Sequence, residues 1–200
     1  MEPILSEPNV GTGVAAFIGR SVLSLFGWRW DTLKALPSRC IIMVYPHTSN
    51  WDFPIGLAYK WASGIEVNYL GKDSLFKSPL GWFFRATGGL PVDRSQPRGM
   101  VGGMIEALTT RKVARFVVAP EGTRAYSATL KTGFYRAAVE GKVPLLLSTI
   151  DFKAKFVGIF DQVEPTGDEQ ADLATLRERY ANREGKILAN MAPFAFPPKK

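Results

Sequence analysis

The chain has 200 residues, 46% hydrophobic and 22% charged, the balance of a globular protein with room for one sizeable core. A single cysteine and a single histidine exclude an intrachain disulfide and a Cys/His metal centre. The formal net charge of +7 favours anionic partners: phosphorylated metabolites, an anionic membrane surface or nucleic acid.

No stretch reaches the roughly 18 uninterrupted apolar residues of a membrane span, and Met1-Glu2-Pro3 lacks the basic start of a signal peptide, so neither is expected. Val14 to Phe26 reads as a helix, with Val14, Phe17, Ile18, Val22, Leu25 and Phe26 at spacings of three and four. Trp28 and Trp30 flank Arg29, and rings beside a base suit a membrane interface. Two readings stay open: residues 1–36 are an amphipathic, interfacial segment, or the helix packs on its own core. Cys40 to Tyr45 reads as a buried strand that Pro46 ends. Ser49, Asn50 and Asp52 are good helix caps, Pro54 fits a first turn, and Ile55 to Ala62 continues as a helix.

The pattern then repeats. Ile65 to Leu70 reads as a strand, Ser74 to Arg85 as a helix kinked at Pro79, and Gly88 to Val92 as an extended segment. Gln96 to Thr110 is expected to be helical, Val113 to Val118 a buried strand, and Pro120 to Arg124 a loop. Gly133 to Glu140 reads as a helix capped by Gly141, Val143 to Ile150 as a strand, and Lys155 to Phe160 as its hairpin partner. Asp168 to Arg183 is a charged amphipathic helix, and the Pro-rich tail from Pro193 to Lys200 is expected to be loosely held. Strands alternating with helices predict one α/β domain: a largely parallel central sheet flanked by helices, with an N-terminal amphipathic helix.

The one histidine, His47, is followed five residues later by Asp52. On a continuous helix these positions would face about 140° apart, so the pair meets only if His47 sits on a turn and Asp52 in the first turn of the next helix. The local sequence supplies that arrangement just past a strand's carboxyl end, where open α/β sheets place ligands. Asp52 would then fix one ring nitrogen and leave the other free as a base. Two further loops carry Asp93 with Arg94, and Glu121, Gly122, Thr123 and Arg124 with Lys131 shortly after. In a parallel sheet such loops collect on one edge, and Arg is suited to bidentate phosphate binding.

HTSNWD, GGLPVDR, APEGTR and VPLL, in that order across roughly residues 40–151, resemble the four sequence blocks of the glycerolipid acyltransferases. The type members of that family are the 1-acylglycerol-3-phosphate acyltransferases. The resemblance makes 37–200 an acyltransferase domain and implies transfer of a fatty acyl group from acyl-CoA or acyl-carrier protein to a lysophospholipid hydroxyl. It implies His47 as general base, Asp52 as its orienting group, and Arg94, Glu121, Gly122, Thr123 and Arg124 in acceptor binding. Lys131 joins them as a candidate phosphate contact, and Pro144 of the fourth block is structural or near the acyl site. The resemblance implies no cofactor, no metal, no nucleic acid, and a cytoplasmic, membrane-peripheral setting. Pro46 stands where the family usually has Asn, Ala119 where an aromatic residue is usual, and Ala125 where Ser is common. These departures leave the acceptor open: a lyso-ornithine lipid, glycerol phosphate or another alcohol are alternatives. A thioesterase and a non-enzymatic basic binding module are the remaining ones.

Overall fold

A computed structural model describes residues 5–6, 11–33, 35–92 and 97–198. The elements, in chain order, are β1 (Leu5–Ser6), α1 (Gly13–Leu25), β2 (Arg29–Asp31), β3 (Leu36–Pro37), β4 (Arg39–Val44), α2 (Asp52–Ser63) and β5 (Asn68–Lys72). They continue with α3 (Asp73–Phe76), α4 (Gly81–Ala86), β6 (Gly89–Val92), α5 (Pro97–Thr110), β7 (Ala114–Val118), α6 (Gly133–Gly141), β8 (Leu145–Asp151), β9 (Phe156–Val163) and α7 (Glu169–Arg179). A 3₁₀ turn follows at Leu188–Asn190.

Among the described residues seven strands form one sheet in the order β2-β9-β8-β4-β7-β5-β6. From β8 to β6 neighbouring strands are parallel, while β9 runs antiparallel to β8 as a hairpin partner. The expected largely parallel α/β domain is therefore what forms. Its central strand is β4, where Cys40, Ile41, Ile42 and Met43 are all buried because helices cover both faces. The pleat divides them: Ile41 and Met43 enter one core with α5, α6 and α7, and Cys40 and Ile42 enter the other with α1 and α2.

The described residues from 11 to 36 are continuous with this body, since β2 pairs with β9 and Leu23 and Leu36 are buried. Helix α1 lies on α2 through small residues. A Cβ at Gly19 would sit 2.4 Å from the Ala58 carbonyl oxygen, so the two backbones nearly touch there. The buried face of α1 is Ala16, Gly19 and Leu23. Its apolar stripe of Val14, Phe17, Ile18, Val22, Leu25 and Phe26 points to solvent, with Val14 at 76% and Leu25 at 80% exposure. Packing on the chain's own core thus does not account for that stripe. Trp28 and Trp30 do not join it. They pack edge-on against Phe152 and Tyr59, half-buried beside the second core.

Several expectations change in detail. Pro79 separates two short helices, α3 and α4, instead of kinking one. Gly141 is the last residue of α6, and Lys142 takes the left-handed cap with φ of 50°. The tail is tied down as far as it is described: Phe194 is buried against Tyr45 and Tyr180, and the Ala195 carbonyl accepts from Leu130 N–H at 2.8 Å. Asp168 caps α7 as its residue type suggests, accepting from the N–H groups of Gln170 and Ala171.

Candidate active site

Because β4 and β7 are parallel neighbours in register from Arg39/Ala114 to Met43/Val118, the loops that leave them emerge side by side. The first carries His47 and Asp52, the second Glu121 to Arg124. His47 lies on the turn after the cis Tyr45–Pro46 peptide, and Asp52 opens α2. His47 Nδ1 stands 2.9 Å from Asp52 Oδ2. That oxygen also accepts the Ser49 N–H at 3.0 Å, which aims the carboxylate at the ring. The Asp52 side chain is 2% exposed and the His47 side chain 24%. One edge of the imidazole is therefore held in the protein. Nε2 has no hydrogen-bond partner among the described residues.

Glu121 is the unexpected member. It is fully buried and faces away from solvent, with Oε1 accepting the backbone N–H of His47 at 2.8 Å. Its second oxygen, Oε2, is buried without a partner among the described residues. Burial pushes this carboxyl from 4.5 up to about 7, against the opposing pull of the His47 N–H. In this position Glu121 braces the loop from below. Its resemblance-based place in acceptor binding does not fit a group with no open face.

Of the other expected residues, Gly122, Thr123, Arg124 and Lys131 follow on the loop beside it. Gly122 has φ of +68°, which a side chain would strain, and a Cβ there would meet the Lys131 stem at 3.3 Å. Lys131 is exposed and its N–H bonds the Pro120 carbonyl at 2.7 Å. Thr123 is exposed, its hydroxyl accepting from Ala125 N–H. Arg124 is exposed on the rim of an open cleft of about 510 Å³ that the His47 loop borders from Thr48 to Trp51. Arg94 lies outside the described residues. Pro144 precedes β8 at the opposite, amino edge of the sheet, where its carbonyl accepts from Ile41 N–H; of its two expected roles the structural one fits.

Sequence reading missed the far side of the cleft. It is closed by Lys186, Ile187 and Asn190, which follow α7 and return to the His47 loop. No motif marks them. Gly185 was the only available signal, and its tight approach to Thr48 shows only in three dimensions. Cys40 is buried and its thiol is pushed up to about 12 by desolvation, so it offers no thiolate nucleophile near neutral pH. Among the described residues no cluster of three or more His, Cys, Asp or Glu side chains is placed to hold a metal ion.

A buried carboxylate that orients an imidazole at the carboxyl edge of a parallel sheet is the geometry of a base-using α/β enzyme. The model of the Acyltransferase family matches residues 30–149, more than half of the chain. The protein belongs to this family and is an acyltransferase. Among solved structures it is similar to the crystal structure of the 1-acyl-sn-glycerophosphate (LPA) acyltransferase, PlsC, from Thermotoga maritima. The TM-score is 0.54 at 21% identity, covering 86% of this chain and 80% of that one, so the two share a fold. No curated protein matches the chain.

Proposed function

We propose that the protein moves a fatty acyl group from acyl-CoA or acyl-carrier protein to the hydroxyl of a lysophospholipid, with 1-acylglycerol 3-phosphate as the first acceptor to test. The observation that carries this reading is the 2.9 Å contact between His47 Nδ1 and Asp52 Oδ2. With the proton on Nδ1, the Nε2 lone pair takes the acceptor's hydroxyl proton as the oxygen attacks the thioester carbonyl. The carbon–sulfur bond breaks, the new ester forms, and the imidazolium returns its proton to the leaving thiolate. No acyl-enzyme is needed. Arg124 on the cleft rim and Arg94 hold the acceptor phosphate, so that binding places the hydroxyl beside the base. The Thermotoga maritima neighbour is a 1-acyl-sn-glycerophosphate acyltransferase, which supports this choice of acceptor. No cofactor or metal takes part in this route.

The exposed stripe of α1 supports a peripheral membrane setting, on the cytoplasmic face, where both the lipid acceptor and the thioester are met. Among the described residues no helix is long and apolar enough to cross a membrane. An apolar face with Val14, Phe17 and Leu25 at 76%, 67% and 80% exposure suits insertion at the level of the headgroups.

One incubation tests the reading: purified protein, palmitoyl-CoA and a panel of lysophospholipids, glycerol phosphate and neutral alcohols, read by mass spectrometry. A diacyl product from 1-acylglycerol 3-phosphate is the expected result. Free palmitate without any acylated acceptor would make the protein a thioesterase instead.

A further inference from the structure

Residues 185–190 lie beyond the segment matched by the family model, yet they complete the cleft. The chain at Gly185 runs so close to the His47 loop that a Cβ there would sit 2.6 Å from Thr48 Oγ1. Ile187 N–H donates to that same oxygen at 3.2 Å. Asn190 Nδ2 donates to the Arg124 carbonyl at 2.9 Å and reaches the Thr48 carbonyl at 3.4 Å. The segment therefore straps the loop after β4 to the loop after β7. Lys186 sits inside this strap, between two residues pinned to Thr48. Its ammonium lies 4.7 Å from the Trp51 ring centroid and 5.8 Å from that of Phe152.

Among the described residues the cleft is lined by Arg124 and Lys186 and by no acidic side chain. The nearby carboxylates are engaged elsewhere: Asp52 with His47 and Ser49, Glu121 with the His47 N–H, and Glu184 with Lys153. Two cations thus face one open space into which no described residue brings a counter-charge. We propose that Lys186 acts with Arg124 to bind a phosphate group in this cleft. A phosphate dianion matches two cations, with the guanidinium fork and the ammonium approaching different oxygens. The stack on Trp51 holds the lysine in place before the ligand arrives, so less side-chain freedom is lost on binding.

The proposal rests on the acyl-transfer reading for the source of that phosphate, which is either the acceptor lipid or the CoA of the donor. Lys186→Met keeps the stem against Trp51 and removes the charge, and Lys186→Arg keeps the charge. With 1-acylglycerol 3-phosphate and palmitoyl-CoA, Lys186→Met is expected to raise one KM about tenfold at nearly unchanged kcat, and Lys186→Arg to restore it. A rise for the acceptor places the lipid phosphate there. A rise for the donor that vanishes with palmitoyl-N-acetylcysteamine, which has no phosphate, places the CoA there. Unchanged KM for both substrates, or an equal loss in both variants, overturns the proposal. Calorimetric titration with glycerol 3-phosphate and with CoA separates this from the transfer reading. A wild-type protein that transfers nothing ends that reading. About tenfold weaker binding of either probe by Lys186→Met still upholds the phosphate site, and equal or undetectable binding by both proteins rejects it.

Discussion

The floor of the active site and the outer face of α1 break the rule of apolar inside and polar outside in opposite directions. Below His47, two carboxylates are buried: Asp52 and Glu121, at 3% and 0% exposure. Along α1, large apolar side chains stand exposed, without covering partners among the described residues. Scattered apolar residues on a surface are ordinary, but buried carboxylates and a continuous apolar stripe are not. The buried carboxylates have their cost offset by a specific task, orienting a ring and bracing a loop. The stripe has no packing task among the described residues, which supports the proposed contact with a lipid surface. One anomaly supports the proposed chemistry and the other the proposed interface.

The largest effect that would break this contrast is at the base. His47→Ala is expected to lower turnover by about two to four orders of magnitude while leaving the fold intact, as steady-state kinetics and thermal unfolding would show. Near-normal turnover would remove the imidazole from the reaction. On the other side of the comparison, serine at Val14, Phe17 and Leu25 together should weaken sedimentation with anionic vesicles by about a hundredfold or more, given roughly 1.5–3 kcal/mol per buried apolar side chain. Substitution is the sharper test than deleting residues 1–30, because deletion also removes Leu23 from the core and part of β2 from the sheet. Undiminished binding would leave the stripe without a function.

Glu121 sharpens the comparison from the buried side. Glu121→Gln keeps an oxygen for the His47 N–H and should hold turnover within a few-fold. Glu121→Leu strands that N–H and should cut kcat about tenfold or more with the acceptor KM unchanged. A rise in acceptor KM in both variants would return Glu121 to substrate binding. The same residue sets a pH dependence. Its folded value of about 7 lies above the ordinary 4.5, so its favourable contribution is complete below about 4.5 and is lost as pH rises through 7. Between pH 5 and 8 urea unfolding should show the wild type losing about 2–3 kcal/mol relative to Glu121→Gln. Equal pH slopes would mean the carboxyl is not held in that state. The smallest effect is at the rim: Arg124→Ala should raise the acceptor KM about tenfold and spare the donor. An equal rise in both would contradict acceptor contact.

Much of this was legible in the sequence because the signals were local. Apolar runs bounded by Gly and Pro gave the strands, and the His47–Asp52 spacing required the turn-then-helix geometry that forms. What escaped depends on distance along the chain. That α1 turns its apolar stripe outward follows from Gly19 meeting the α2 backbone, which no periodicity reveals. Glu121 read as a polar loop residue like Thr123, and only the adjacency of β7 to β4 aims it inward at the His47 N–H. Lys186 joins the cleft from a segment 139 positions beyond His47, through contacts of Gly185 and Ile187 with Thr48.

The central claim is that Asp52 contributes to turnover through the ring of His47 and not on its own. A double-mutant cycle with His47→Ala, Asp52→Asn and the combined variant measures this directly. The account predicts that adding Asp52→Asn to His47→Ala costs no further turnover. Losses that multiply in the double variant would contradict it.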